Sequence, residues 1–191
     1  MATDLITKAE YKQYANITST NFDTQLDFLI PKVSALIKAY CRRSFVDYVN
    51  DAKVEVSAGG YGSKIFLKES PLLTVSGVEY SEDYGNTYTD LVEFTDYAVD
   101  LEDSSIYNIP LANWTKLING YRITYTAGYE TLPADLKLAV LDLIKYYLNN
   151  DASVHSPKAP GTNSVQIEYI TTSNLPAHIK RVLDLYKESW D

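Results

Sequence analysis

Capping signals and the spacing of apolar residues predict helices near both ends of the chain. Thr7 and Glu10 have the spacing of a capping box, so a short helix should begin there and end near Ala15. Another helix opens at Leu132-Pro133 and continues to about Asn149. Its apolar residues cover most of its circumference, which predicts burial on most sides, either within its own domain or against a neighbouring subunit.

Between these two helices, the longest helical pattern carries apolar residues at three- and four-residue steps. Small polar residues at Asn21 to Asp23 can cap its first turn. Pro31 removes one backbone hydrogen bond, which predicts a kink or a helix that starts only near Ile30. Arg42 and Arg43 fall in the predicted last turn, where positive charge favours the negative end of the helix dipole.

The pattern changes twice beyond the helix that ends near Asn149. Residues Asn149 to Ser164 are rich in Asn, Ser, Pro and Gly and should form a surface loop. Val165 to Ile170 then alternates between apolar and polar residues like a strand. Asn174 is placed to cap a final helix that has Pro176 in its first turn.

From Val49 to about Tyr129 the period is that of strands, with β-branched and aromatic residues separated by turn clusters. Residues Ala58 to Gly62 predict a hairpin turn, because the pattern of a phosphate-binding loop is missing. The polar residues Ser81 to Asp90 lack the ligand spacing of a calcium loop and indicate a solvated hairpin tip. The predicted strands are Lys53 to Ser57, Lys64 to Lys68, Thr74 to Tyr80, Val92 to Val99, Ser105 to Asn108 and Tyr121 to Thr126.

These elements predict an α+β fold in which a bundle of about four helices carries an inserted β-rich subdomain. Residues 1–48 and 130–191 should form the helical core of a single domain, and residues 49–129 the insertion. A chain of 191 residues is long enough to bury such a core without disulfides or metals.

The charge balance argues against some classes of binding partner for this chain. The chain has 17 Lys and Arg against 25 Asp and Glu, a net charge of −8, so a grip on nucleic acid or on an anionic membrane is not expected. We expect no membrane span and, from Met1 to Glu10, no signal peptide. Cys41, the single cysteine, is most simply a small buried hydrophobe. The 17 tyrosines are unusual and suggest surfaces shared with other proteins.

Few residues offer catalytic chemistry. His155 lies in the predicted loop, which is a poor place to hold a catalytic base, and His178 fits a surface or capping role. Acidic pairs such as Glu79 with Glu82 suit a solvated loop at least as well as a glycosidase. We expect no enzymatic activity, no cofactor and no bound metal.

Two segments resemble the head-tail connector, or adaptor, proteins of tailed bacteriophages. The first is the long helix with its ending Tyr40-Cys41-Arg42-Arg43-Ser44-Phe45, similar to the aromatic-x-x-Arg-Ser/Ala-Phe ending of that family. The second runs from Trp114 to Asn150 and contains a strand that ends in Ala127-Gly128-Tyr129, followed by Pro133 and a helix. The order of elements agrees as well. The long β-rich region and the extension after Asn150 depart from the smallest members of the family.

The resemblance implies a structural protein of the virion neck, made in the host cytoplasm. It would dock as a dodecameric ring under the portal protein, extend the DNA channel, and form the platform for a stopper or tail-completion protein. DNA would pass through without specific binding, which suits an acidic chain. No membrane partner is expected.

We predict three groups of contact residues from this resemblance. The C-terminal residues expected to dock on the portal are Tyr186, Lys187, Trp190 and Asp191. The residues expected between subunits of the ring are Leu138, Leu141, Tyr146, Leu148, Tyr40, Arg42 and Arg43. The loop residues expected to meet the next neck component are Tyr61, Tyr84 and Tyr88.

Two alternatives stay open from the sequence. A stopper or tail-completion protein of the same neck would be mostly a β-barrel with fewer helical residues. A non-viral ligand-binding β-module on a helical base would stay monomeric and bind glycans.

Overall fold

The computed structural model describes residues 3–59, 62–109, 113–150 and 175–187. The chain divides into two compact units, here called the β unit (residues 1–3 and 43–131) and the helical unit (residues 4–42 and those from 132 onward). Within the described residues there are four helices and two antiparallel sheets, which confirms the predicted α+β class.

The helical unit buries one apolar stripe of each long helix. Moving a Leu or Ile side chain from water into such a core stabilises the fold by about 1.5–3 kcal/mol. The described helices are α1 (Lys8–Tyr14), α2 (Asp23–Cys41), α3 (Ala134–Asn150) and α4 (Ala177–Leu185). The core side chains that are at most 3% exposed include Leu26, Ile30, Val33, Ile37, Leu136, Val140, Leu143, Ile144, Ile179 and Leu183.

Helix α1 begins at the predicted capping box. Thr7 Oγ1 accepts a hydrogen bond from the Glu10 amide at 3.2 Å, and Glu10 Oε2 accepts one from the Thr7 amide at 2.7 Å. Glu10 Oε1 also accepts from Lys137 Nζ of α3 at 2.5 Å. The same carboxylate therefore caps α1 and ties it to α3.

Helix α2 begins at Asp23, within the predicted range, but its cap and its C-terminal end differ from the prediction. Its N-cap is Phe22, which makes no side-chain capping bond, and the helix contains Pro31 instead of starting beside it. It ends at Cys41, because Arg42 adopts the left-handed conformation at φ 57°. Arg42 and Arg43 therefore lie beyond the helix, and the prediction that they occupy its last turn is wrong.

Helix α4 carries the apolar face predicted for it, with Ile179 and Leu183 buried. Its N-cap is Pro176, which has no side chain that can donate or accept a capping bond. The predicted cap Asn174, the predicted loop of residues 149–164 beyond Asn150, and the predicted strand Val165 to Ile170 lie outside the described residues.

The β unit contains two antiparallel sheets. Their strand orders are β1-β7-β3-β4 and β2-β6-β5. The strands are β1 (Lys53–Ser57), β2 (Lys64–Phe66), β3 (Leu72–Tyr80), β4 (Thr89–Asp90), β5 (Tyr97–Asp100), β6 (Ser105–Asn108) and β7 (Tyr121–Ala127).

Two strand predictions are corrected by this topology. Residues Ala58 to Gly62 do not close a hairpin, because β1 pairs with β7 and β2 pairs with β6 in the other sheet. The predicted strand Val92 to Val99 is interrupted by a turn, in which the Val92 amide donates to Asp96 Oδ2 at 2.8 Å. The predicted hairpin tip at Ser81 to Asp90 is confirmed by the pairing of β3 with β4.

Strand β7 is an inner strand of the four-stranded sheet, between β1 and β3. Its residues alternate strictly between buried and half-buried, so one face of the central strand is apolar. Residues of both sheets join in one core, composed of Ile65, Leu67, Leu72, Val78, Tyr97, Ile106, Trp114, Tyr121, Ile123, Tyr125 and Ala127.

Candidate functional site

Three loops meet at one end of the β unit, and we call this surface the loop end: residues 58–59, 81–88 and 114–120. The Leu117 amide donates to the Ala58 carbonyl at 2.8 Å, and the Ser81 amide donates to the Gly120 carbonyl at 2.8 Å. Tyr88 Oη donates to the Asn119 carbonyl at 3.0 Å. The loops are thus held by backbone and side-chain bonds, not only by the strands that they connect.

Asp83 organises the hairpin loop of this surface. Its carboxylate accepts from the Thr87 amide at 2.8 Å, from Thr87 Oγ1 at 2.7 Å and from Ser81 Oγ at 2.7 Å. These bonds, with the Thr87 amide foremost, hold the pKa of Asp83 well below its usual value. Tyr84 sits at the tip with φ 63° and is 67% exposed. A large aromatic ring is therefore presented to solvent on a preorganised turn.

A second apolar side chain, Ile118, is equally exposed on the neighbouring loop. Beneath the loop end, Trp114 packs edge-on against Tyr121 at 4.8 Å between ring centroids, and its Nε1 donates to the Ser63 carbonyl at 2.9 Å. The segment that carries Ile118 therefore begins at a buried ring, and Asn119 Nδ2 of the same segment donates to the Tyr84 carbonyl at 3.4 Å. Loops that are ordered before binding lose little conformational entropy when a partner docks.

The three predicted loop residues have different positions. Tyr84 is exposed at the tip, whereas Tyr88 lies with its ring 4.2 Å from the Arg122 guanidinium. Arg122 in turn pairs with Glu79 on β3. Tyr88 therefore covers an ion pair on the sheet and projects less than Tyr84. Tyr61 lies outside the described residues.

The predicted subunit-contact residues on α3 divide by exposure. Leu138 is 49% exposed, while Leu141 is only 7% exposed within a single chain and offers little area to a neighbour. Tyr146 and Leu148 are half-buried. The ring of Tyr146 packs edge-on against Tyr147 at 5.8 Å. Leu138 is thus the most exposed of the four.

The predicted residues at the end of α2 and after α4 come partly together. Tyr40 Oη donates to Asp184 Oδ1 of α4 at 2.5 Å, which raises the pKa of Tyr40 to about 12. Lys187 Nζ lies 5.5 Å from the centroid of the Tyr40 ring. Tyr186 Oη donates to Asp135 Oδ1 of α3 at 2.7 Å. Tyr186 and Lys187 are therefore anchored within the helical unit.

The remaining predicted residues are separate from that group. Arg42 is exposed at the end of the helical unit, and Arg43 belongs to the β unit with its Nε buried and without a hydrogen-bond partner in the described structure. Trp190 and Asp191 lie outside the described residues.

Among the described aromatic residues that the sequence did not single out, Phe94 and Phe28 are the most exposed. Phe94 is 79% exposed on the turn that interrupts the predicted strand, at φ 62°. Phe28 is 62% exposed on α2. The turn could have been predicted from Asp96, four residues after Val92, because an aspartate carboxylate can accept hydrogen bonds from backbone amides. For Phe28 the signal was its position opposite the apolar stripe of α2.

The side chains that could act in catalysis are buried, bonded to other residues, or not grouped together. Cys41 is fully buried, as predicted, and His178 is exposed on α4. Glu79 is paired with Arg122, which lowers the pKa of that carboxyl. In the described part of the chain, no three His, Cys, Asp or Glu side chains are grouped to hold a metal ion, and no helix is long and apolar enough to cross a membrane.

The sequence profile of the head completion protein family matches residues 4–189. The chain therefore belongs to the head completion protein family. Its resemblance to head-tail connector proteins is confirmed, and its function is that of a structural protein of the head-tail connector class.

Solved structures share the fold at low sequence identity. A chain from the "Neck of empty GTA particle computed with C6 symmetry" has a TM-score of 0.63 and 16% identity, covering 100% of this chain and 91% of that one. A chain from the "Neck of native GTA particle computed with C12 symmetry" has a TM-score of 0.60 and 15% identity, with 100% and 97% covered. One from the "Virion of native gene transfer agent (GTA) particle" has a TM-score of 0.61 and 15% identity, with 100% and 91% covered. No curated protein matches this chain.

Proposed function

We propose that this protein is the adaptor of a virion neck, which docks as a ring on the portal, extends the DNA channel and carries the stopper or tail. The observation that carries this proposal is the family match over nearly the whole chain. The likeness to neck chains of particles with C6 and C12 symmetry supports a closed ring, and a dodecamer is the form that the second of these symmetries favours.

The two units take different roles in this proposal. The helical core (residues 1–48 and 130–191) forms the base on the portal, and the C-terminal residues Tyr186, Lys187, Trp190 and Asp191 make the contact. The inserted subdomain (residues 49–129) presents the loop end to the next neck component. The exposure of Tyr84 and Ile118 on loops that are bonded to each other favours the loop end for that contact, because aromatic side chains on preorganised turns are frequent interface anchors.

The acidic charge fits the passage of DNA. A net charge of −8 gives a ring a repulsive field toward phosphates, so DNA slides through without being held. Chemistry on the DNA is not part of the role, and we propose that the protein is not an enzyme. The pairing of Glu79 with Arg122 and the burial of Cys41 support that assignment.

The helical content argues against a stopper. Four helices among the described residues exceed what a β-barrel stopper would carry, and the family match leaves no observation that favours a glycan-binding module.

The adaptor role is tested by complementation of particles that lack this protein. DNA-filled heads made without it should have no tails, and adding the purified protein should restore tail attachment. A variant with Tyr84→Ala and Ile118→Ala should bind such heads and fail to restore tails. Particles that attach tails normally without the protein would contradict the proposed function.

A further inference from the structure

Helix α2 has an apolar face that points away from the core of the helical unit. At 100° per residue, Phe28, Pro31, Ala35 and Ala39 fall in one stripe, and all four are exposed. We call these four residues the outer stripe. The buried residues of α2 lie on the opposite side of the helix, where α2 packs against α3 and α4. The outer stripe is therefore turned away from both of those helices.

Phe28 is the prominent member of the outer stripe. Its ring is held by Lys32, whose Nζ lies 4.4 Å from the ring centroid. Asp27 stands beside it, paired with Lys8 of α1 at 2.8 Å. The small residues Ala35 and Ala39 leave the backbone of α2 open to close approach by another helix. The face thus offers one aromatic knob, a flat apolar strip and charges of both signs along its rim.

A groove of about 430 Å³ lies between α3 and the first turn of α4. Tyr146, Pro176 and Ile179 give it a largely apolar lining, and Asp142 and Lys145 stand along its rim.

The rim of the groove is fixed by α1. Tyr14 Oη donates to Asp142 Oδ1 at 2.6 Å, and Lys145 Nζ lies 5.8 Å from the centroid of the Tyr14 ring. The groove consequently carries one negative and one positive charge at defined positions beside an apolar floor.

We propose that the outer stripe of one copy docks in the groove of a second copy, with Phe28 inserted between α3 and α4. This inference rests on the adaptor function, since it describes the contact that closes the ring. A heterologous ring needs two different, complementary surfaces on every subunit. The helical unit carries two such different surfaces, the outer stripe on α2 and the groove between α3 and α4.

The charges around the groove favour a second copy of this chain as its occupant. Lys32 at the rim of the stripe faces Asp142 of the second copy, and Asp27, which also contacts Lys8 of its own chain, faces Lys145 of the second copy. The apolar lining of the groove takes the exposed ring of Phe28. Repeating this contact around the ring leaves both surfaces covered in every subunit.

The test is site-specific cross-linking on assembled rings. Ala35→Cys and Asn149→Cys place one thiol on the stripe and one beside the groove while Phe28 is kept, and Cys41 stays unreactive because it is fully buried. A short bismaleimide added to portal-bound rings should convert the double variant into a ladder of covalent multimers. Each single variant, which carries only half of the contact, should stay uncross-linked.

A second measurement places a negative charge at Phe28, the aromatic residue of the outer stripe. Phe28→Asp should reduce addition to the ring by at least ~10-fold at unchanged melting temperature, whereas Phe66→Asp, an exposed site in the β unit, should not. Intact rings of the double-cysteine variant without a ladder, or normal assembly of Phe28→Asp, would overturn the inference and leave the adaptor function standing. Absence of rings from the wild-type chain on its portal would instead remove the adaptor function, and this contact with it.

Discussion

The backbone amide of Tyr129 donates to the carbonyl oxygen of Phe45 at 2.7 Å. This bond joins the two segments whose sequences resemble the connector family, the first at its end in Phe45 and the second at its strand motif Ala127-Gly128-Tyr129. A neighbouring bond from the Ala127 amide to the Tyr48 carbonyl, at 2.9 Å, reinforces the junction. Gly128 lies between them at φ 117°, and a Cβ on it would come within 2.3 Å of the Phe45 oxygen. The family-like motif is therefore a backbone junction that excludes any side chain at this glycine.

Gly128→Ala should destabilise the protein strongly. The positive φ alone costs about 1–3 kcal/mol for a residue with a side chain, and the clash with Phe45 adds to it. Chemical denaturation of the wild type and the variant measures the loss. Gly77→Ala is the matched control, because Gly77 has no positive φ and no neighbouring atom within 4 Å of an added Cβ. Equal denaturation midpoints for Gly128→Ala and the wild type would contradict the packing of this junction.

The sequence predicts elements well where local chemistry determines them. The capping box at Thr7 and the alternation along β7 gave α1 and the central strand to within a residue or two. Strand β6 has the predicted bounds, Ser105–Asn108. In each case the signal and the structure depend on neighbouring residues in the chain.

Long-range pairing could not be predicted in the same way. Consecutive strands β1 and β2 belong to different sheets, because each pairs with a strand at least 39 residues away in sequence. Nothing in a Gly-rich connection distinguishes a hairpin turn from a link between sheets.

The sequence likewise could not tell which tyrosines are buried and which lie on a contact surface. The sequence suggested intermolecular surfaces, yet Tyr11, Tyr97, Tyr121 and Tyr125 are buried, and Tyr125 Oη donates to Glu55 Oε2 at 2.6 Å. A hydroxyl partner on a distant segment is invisible to composition. The exposed Tyr84 is the position for which the sequence-based prediction of a contact loop has structural support.

Glu10→Gln should weaken the protein in a pH-dependent manner. The hydrogen bond from Lys137, followed by that from the Thr7 amide, lowers the pKa of Glu10 from 4.5 to about 2 in the folded chain. A lowered folded-state pKa means that the ionised form stabilises the fold above pH 4.5, and that this contribution disappears as the pH falls toward 2. Denaturation at pH 7, 4 and 2.5 measures the difference between wild type and variant, which should shrink with acidity. Because the pair is partly exposed, the difference at pH 7 should be about 1 kcal/mol or less. A difference that grows toward low pH would contradict the assignment.

Tyr40→Phe should show the opposite pH dependence. The hydrogen bond to Asp184 raises the pKa of Tyr40 to about 12, so its contribution is complete below pH 10 and is lost as the pH rises through 12. The variant should lose about 1 kcal/mol at pH 8 and progressively less above pH 10. Denaturation at pH 8 and pH 11 measures this, with spectrophotometric titration of tyrosine as a second readout. A variant as stable as the wild type at pH 8 would show that the bond between α2 and α4 contributes nothing.

Tyr84→Ala should impair attachment of the next neck component without changing stability. Its side chain is largely exposed, so removing it costs the fold little but removes an aromatic anchor from the loop end. Binding of the purified stopper or tail-completion protein to portal-bound rings is the measurement, with a loss of at least ~10-fold in affinity expected. Leu101→Ala, another exposed apolar residue of the β unit, is the control and should bind normally. Equal losses for both variants would show that the loop end has no special role.

The adaptor account is tested most directly by imaging the purified protein mixed with the portal of its own particle. Negative-stain averages should show a new ring of density at the narrow end of the portal, with the channel continuing through it. Portals that keep their bare outline, under conditions in which complete necks assemble, would contradict the account.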